Sequence, residues 1–369
     1  MLDNQHSTGY YYVTGHVTGN IQRYHLFTQK NMARSNPTIR DVARLAGVSH
    51  QTVSRVINSK EGVLPETQKR VEEAIAELGF KPNAIARYMA KGNTHTFACI
   101  SPNLTDYTFS SLIDGAETYA REHGYFLISA SAPDSESFSV LVEQLIDSRR
   151  AEGLLVINPY ADERHTFLPT DVPVVLMGAR PRSKGLTSVA LDDIQGGYLA
   201  TKHLISLGHK RIALISGPLE EDCTQDRLSG YQRALEEADL VLDSNLLYSG
   251  DWSATSGQAA VDHFQKQGTQ FSAIFVQNDR MAVGAINYLQ KSGLNVPNDI
   301  SIVGFDDMPL ASYFDPPLTT IRQDILTIGK EAVRLLLQEK ENPSDDHQQL
   351  LFLPELVIRN STGKATERR

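Results

Sequence analysis

The sequence predicts an α/β protein: a small helical module followed by a two-lobed core of doubly wound parallel sheets. Three observations predict it. From Thr96 onward, apolar runs of strand length alternate with amphipathic stretches, as in "FACIS" then "LIDGAETYAREHG", "RIALISG" then "RLSGYQRALEEA", and "AIFVQN" then "RMAVGAINYLQKSG". Such alternation makes parallel strands with helices on both faces. Two such sets are divided near Asp192, and the chain returns to the first after "LTTIRQD" (318–324). Before Thr96 the apolar spacing is helical instead. The charge follows the same boundary: residues 33–93 carry a net +4 and residues 94–369 a net −14, within an overall −9. A polyanion would be drawn to one end and repelled by the other.

At 369 residues and 41% hydrophobic content the chain is long enough for several cores. Residues 1–36 open on a Tyr/Thr/Gly/Asn-rich stretch without periodicity and are expected to be a disordered extension, with "MARSNPTIRDVA" from Met32 reading as a natural start. No basic segment leads into an apolar one there, and no run of about 18 apolar residues exists, so a cytoplasmic protein without a membrane span is expected. The two cysteines, Cys99 and Cys223, are too few for a disulfide framework or a zinc site.

Thr38 with Asp41 three residues on forms a capping-box signature, and Ile39, Val42, Ala43 and Ala46 fall on one helical face. Gly47 ends that helix, and Ser49 caps a second whose inner face is Val53, Val56 and Ile57. Pro65 opens a third, burying Val71, Ala74, Ile75 and Leu78 before Gly79. "FKPNAIARYMAKGN" (80–93) has too few apolar positions to pack alone and reads as a linker or hinge. In doubly wound sheets ligands lie beyond the carboxyl ends of the strands, so the loops after "ISP", "MG", "ISG", "VQND" and "GFDD" should face a cleft between the lobes.

Seven segments in order, "TIRDVARLAGVSHQTVSRVIN", "KPNAIARYMA", "HLISLGHKRIALISGP", "GDWSATSG", "QNDRMAVGA", "SIVGFDD" and "PPLTTIRQD", resemble the lactose/galactose-repressor family of transcription regulators, its lactose-type members most. The resemblance spans roughly residues 37–360. It implies a helix-turn-helix domain (37–80), a hinge helix (81–93) and a periplasmic-binding-protein-like effector core that dimerises. The core would comprise an N-subdomain (94–192 plus about 324–352) and a C-subdomain (193–321 plus about 353–361).

In a helix-turn-helix the second helix enters the major groove, its N-terminal residues nearest the bases. His50, Gln51 and Arg55 match the family's base-reading positions and lie opposite Val53 and Val56. Gln can read adenine and Arg guanine through paired bonds, each worth about 1–3 kcal/mol of discrimination. Thr38, Ser49, Thr52, Ser54, Asn58 and Asn83 are placed for phosphates, which position without specifying. In the hinge, Ala86 and Met89 match the minor-groove positions, with methionine where the family usually has leucine as the unstacking wedge.

Sugar recognition needs a flat apolar surface for ring C–H groups and planar polar forks for hydroxyl pairs. The single tryptophan, Trp252 in "GDWSATSG", matches the family's sugar-stacking position, and Arg227, Asn278, Asp306 and Gln323 match its effector contacts. Phe109 and Leu112 are expected to line the first lobe's side. One departure is Gly178, where the lactose-type relative has an aspartate on the sugar; Arg180 and Arg182 follow it and could serve an anionic sugar, or lie on the surface.

These expectations together describe a dimeric, sequence-specific repressor of carbohydrate genes, released from a pseudo-palindromic operator by a small sugar, with no cofactor, metal or catalytic residue. The alternatives are a global regulator answering to a phosphoprotein partner and a sugar-binding transport protein. An enzyme using the cleft would need a nucleophile–base set that the sequence does not display.

Overall fold

The computed structural model describes residues 37–58, 62–81, 93–160, 162–178, 185–343 and 347–365. They fall into two units that divide at residues 84 and 85. The linker expected at 81–93, with Asn83, Ala86 and Met89, lies almost wholly outside the described residues, as do Arg180 and Arg182.

The first unit is three helices, α1 (Ile39–Ala46), α2 (His50–Ile57) and α3 (Pro65–Leu78). The capping box at the start of α1 is made: the Thr38 amide and hydroxyl both donate to Asp41 Oδ2, at 2.9 and 2.7 Å. Gly47, at φ +65°, turns the chain in a left-handed conformation that costs glycine little. Ser49 Oγ then accepts from the Thr52 amide at 3.1 Å and starts α2. Val42, Ala43, Ala46, Val53, Val71 and Ala74 form the buried core.

The second unit holds two six-stranded sheets. The first runs β11-β5-β4-β3-β1-β2, from β1 (Thr96–Ser101), β2 (Phe126–Ser131), β3 (Leu154–Val156), β4 (Val174–Met177), β5 (Thr187–Leu191) and β11 (Gln349–Phe352), all parallel. Its helices are α4 (Tyr107–Glu122), α5 (Ser135–Val142) and α10 (Ile325–Glu341). The second runs β12-β10-β9-β8-β6-β7, from β6 (Ile212–Ser216), β7 (Leu247–Ser249), β8 (Ala273–Val276), β9 (Ser301–Asp306), β10 (Thr319–Arg322) and β12 (Glu355–Val357). Only β12 is antiparallel to its neighbour. Its helices are α6 (Asp193–Ser206), α7 (Asp222–Glu236), α8 (Ala254–Lys266) and α9 (Asp279–Lys291).

Near-continuous apolar strands such as Ile212–Ser216 and Ala273–Val276 are buried at every position, as parallel strands covered on both faces must be. Glycines set how closely the helices approach. A Cβ on Gly197 of α6 would stand 2.1 Å from the Arg227 carbonyl oxygen of α7, and one on Gly230 of α7 would stand 2.1 Å from that of Ile194.

The chain passes between the two lobes three times: Leu191 to Asp193, Arg322 to Ile325, and Phe352 to Glu355. The Asp192 amide donates to the Phe352 carbonyl at 2.9 Å, tying two of the crossings together. Among the described residues no helix is long and apolar enough to cross a membrane.

Candidate functional site

Two surfaces hold the residues singled out by the sequence. On the first unit, His50, Gln51 and Arg55 are exposed on α2 while Val53 on the opposite side is fully buried. The polar residues around them have local partners. Ser49 and Thr52 share a hydroxyl–hydroxyl bond of 2.9 Å, and Asn58 Nδ2 donates to the Ser54 carbonyl at 2.7 Å, closing the helix C-terminus. The Thr38 hydroxyl donates to Asp41. These three bonds stiffen the helix termini and leave the three exposed side chains projecting from a fixed frame.

On the second unit, a cavity of about 220 Å³ lies between the lobes. Phe109, Leu112, Arg227, Trp252, Asn278, Asp306 and Gln323 all line it. Strand-end loops supply part of the lining, since Asn103 follows β1, Gly178 follows β4, Glu221 follows β6 and Asn278 follows β8, while Phe109 and Leu112 stand on α4 and Arg227 on α7. The crossings contribute too, through Leu191, Asp193, Gln323 and Ile325. A ligand here therefore touches the segments about which the lobes would move. The first lobe offers a mainly apolar wall of Phe109, Leu112, Ile157 and Ile328; the second offers a mainly polar one.

Trp252 is positioned by several groups at once. Its φ of +66° is a conformation that a bulky residue seldom adopts, and Asn278 Nδ2 holds its carbonyl at 3.1 Å. Its Nε1 donates to Glu221 Oε2 at 3.1 Å. The indole lies against Gly217, where a Cβ would stand 2.0 Å from Cζ2. Asn278 is thus a positioning residue as much as a wall: its Oδ1 caps α9 through the Met281 amide at 2.8 Å.

Arg227 is buried, 5% exposed. Its Nε pairs with Asp193 Oδ1 at 2.7 Å, its Nη1 donates to the Gln277 carbonyl at 2.6 Å, and its guanidinium stacks 3.6 Å over the Phe305 ring. Burial works against its charge, but the combined pull of its neighbours, Asp193 foremost and Asp306 with it, outweighs burial and raises its pKa. Asp306, at φ +112°, accepts from Gln323 Nε2 at 2.6 Å. Burial pushes its carboxyl well above the usual range, against the pull of Arg227 and with the push of Asp279. Burial likewise raises Glu221, opposed by the Trp252 N–H and by Arg227.

Asp307, the neighbour of Asp306, has different surroundings. It is nearly buried and takes two arginines, Arg322 at 2.7 Å and Arg359 at 2.5 Å. Of the two neighbours, Asp306 lines the cavity and Asp307 does not.

Several lining residues were not singled out by the sequence: Asp106, Tyr107, Tyr160, Asp193, Glu221 and, although inside "QNDRMAVGA", Arg280. Asp193, at the first residue of α6, could have been inferred as the partner that a buried Arg227 requires. Tyr160 and Glu221 come together only through an antiparallel bridge between the lobes, supported by the Asp222 amide donating to the Pro159 carbonyl at 2.9 Å.

Residues 38–83 match the family described as bacterial regulatory proteins, lacI family, and residues 201–362 match a periplasmic binding protein-like domain. The chain is 37% identical over 330 residues to the HTH-type transcriptional repressor PurR of Vibrio campbellii, spanning 89% of this chain and 99% of that protein. Its fold matches the Lac repressor dimer bound to operator and the anti-inducer ONPF, with a TM-score of 0.82, 32% identity, and coverage of 89% of this chain and 100% of that one. It also matches the transcriptional regulator CelR in complex with cellobiose, with a TM-score of 0.68, 32% identity, and coverage of 88% and 99%. The chain belongs to the lacI family of bacterial regulatory proteins.

Proposed function

We propose that this protein is a cytoplasmic, sequence-specific transcriptional repressor whose hold on a pseudo-palindromic operator is set by a small sugar in the interlobe cavity. The observation that carries this reading is the cavity itself: a stacking indole, a buried arginine and a buried carboxylate converge on it, and the lobe crossings form part of its wall. A pyranose would lay its C–H face on Trp252 and hydrogen-bond its hydroxyls to Arg227 and Asp306. The Lac repressor dimer bound to operator and the CelR–cellobiose complex, both similar in fold, support the same assignment.

His50, Gln51 and Arg55 would read base edges; Thr38, Ser49, Thr52, Ser54, Asn58 and Asn83 would meet phosphates; Ala86 and Met89 would reach the minor groove. Effector and operator would then be coupled by about 1–3 kcal/mol, and the coupling is reciprocal. A second copy of the chain accounts for the exposed apolar side chains of edge strand β2, where Phe126 is 69% exposed, and near β9, where Tyr313 is 83% exposed.

The test is release of the protein from operator DNA against a panel of saccharides, followed by Trp252 fluorescence. Release by one sugar with a matching change in fluorescence supports the reading. No response to any saccharide would overturn the effector assignment, and DNA binding unchanged by combined Gln51→Ala and Arg55→Ala would overturn the reading helix.

A further inference from the structure

The cavity's arginines are already engaged. Arg227 is bound to Asp193, and Arg280 Nη2 lies 2.7 Å from Asp106 Oδ2. Among the described residues the lining carries five acids (Asp106, Asp193, Glu221, Asp251 and Asp306) against these two arginines, a formal count of −3 that burial of Asp306 and Glu221 reduces without reversing its sign. From this arrangement we infer that the site takes an uncharged polyhydroxylated ligand and turns away phosphorylated or carboxylated sugars. The inference rests on the sugar reading above and narrows it to a chemical class.

The distribution of partners supports it. Arg227 serves three carboxylates at once, pairing with Asp193 while also attracting Glu221 and Asp306. An anionic substituent on the outer N–H groups of Arg227 would compete with Asp193, Glu221 and Asp306 for a single buried positive charge. Arg280 is more exposed, and its charge is already shared with Asp106 across the two lobes. Asp251 at the rim is kept ionised by the hydroxyls and amide of Ser253 and Ser256. A neutral hydroxyl, by contrast, donates to Asp306 or Glu221 and accepts from an outer N–H of Arg227 without disturbing either pair. Gly178 fits the same picture: at φ +65°, its added Cβ would stand 3.3 Å from Leu112 Cδ1, so the first lobe places no charged side chain at that point of the wall.

The sign of the field can be read without knowing the effector, because Trp252 is the only tryptophan of the chain and lines the cavity. Its fluorescence in the ligand-free, full-length protein is quenched with cesium, iodide and neutral acrylamide at low, constant ionic strength. The expected result is a cesium quenching constant about fivefold or more above that of iodide, each normalised to a free tryptophan amide, as potentials of a few kT dictate. The gap should close with added salt and narrow in Glu221→Gln, which keeps an acceptor for the indole N–H. Equal constants, or iodide ahead of cesium, would overturn the inference, and this measurement includes whatever Arg180 and Arg182 contribute.

A second arm titrates glucose, galactose, lactose and cellobiose beside glucose 6-phosphate, galactose 6-phosphate and gluconate. Any phosphorylated sugar should bind about tenfold or more weakly than its parent. A phosphate that binds more tightly than its parent overturns the charge assignment. A flat heterocycle such as a purine base, binding where no sugar does, overturns the sugar reading alone, since the quenching result stands apart from it.

Discussion

The guanidinium of Arg280, in the first turn of α9, holds the carboxylate that caps α4: Asp106 Oδ2 lies 2.7 Å from its Nη2, and Asp106 Oδ1 accepts from the Thr108 amide at 2.9 Å. One side chain thus starts a helix in the first lobe and ties it to a helix in the second. Asp106→Asn keeps the cap, since asparagine caps as well as aspartate, and removes the ion pair. Both partners are partly exposed, so a modest effect is expected, a two- to fivefold loss of effector affinity, about 1 kcal/mol at most. The loss should shrink in high salt, and Arg280→Gln added to Asp106→Asn should cost nothing more; titration of Trp252 fluorescence reads both.

On α2, Gln51→Ala and Arg55→Ala should each weaken binding to the specific operator by about tenfold or more, from about 1–3 kcal/mol per lost base contact. Both side chains are exposed, so thermal stability should barely change. Val53→Ala should do the reverse, costing about 2 kcal/mol of stability in the three-helix unit. Fluorescence anisotropy with labelled DNA, paired with thermal melts, separates the two classes.

Two glycine replacements should fail in different ways. Gly217→Ala meets the Trp252 ring, so it should shift the emission spectrum and lower effector affinity by about tenfold, consistent with losing about 1.4 kcal/mol of stacking, while the fold survives. Gly197→Ala meets the backbone of Arg227, which cannot give way unless α6 and α7 separate. It should lower stability by about 3 kcal/mol and weaken effector binding through the displaced Arg227.

Asp279 should make stability fall with rising pH. Its carboxyl is buried and is pushed up to about 7 by that burial, against the bonds from Thr320 Oγ1 at 2.6 Å and the Met308 amide at 2.8 Å. A raised acid holds its proton in the folded state where the unfolded chain, near 3.8, has lost it. Between these values the folded state binds more protons, so its stability is greatest at the acid end and declines until pH passes about 7. His203 and His209, lowered by burial, act in the opposite direction near their ordinary value of 6.5. The test is therefore a difference: urea midpoints from pH 5 to 8 should slope more steeply downward in the native chain than in Asp279→Asn.

Much of this was legible in the chain because the signals were local. Thr38 and Asp41, Gly47, Ser49 and Pro65 each act within one turn, so capping chemistry alone locates three helices. Apolar strands separated by amphipathic helices announce parallel sheets for the same reason. The cavity was legible only in part. Trp252 stood out as a lone aromatic in a polar loop, and Arg227, Asn278, Asp306 and Gln323 through their motifs. Asp106 and Glu221 did not, and the segment holding Arg280 did not show its role, because their meaning depends on partners far along the chain: Asp106 and Arg280 are 174 residues apart. The pairing of Asp307 has the same origin, since Arg359 reaches it across 52 residues. Pairing at such separations is decided by the folded sheet order, which no local pattern encodes.

The three crossings also govern the order in which the protein can be made. Neither sheet is complete until residues 349–357 emerge, because β11 closes the first beside β5 and β12 closes the second beside β10. The first lobe additionally lacks α10, the helix packed on α4, until residue 341 has been synthesised. A ribosome that has finished the first lobe's five leading strands therefore holds an open sheet whose edge, β5, is apolar and unpaired. A chain ending before Gln349 would carry two such edges, one in each lobe, and would be expected to aggregate rather than to survive as a shorter repressor.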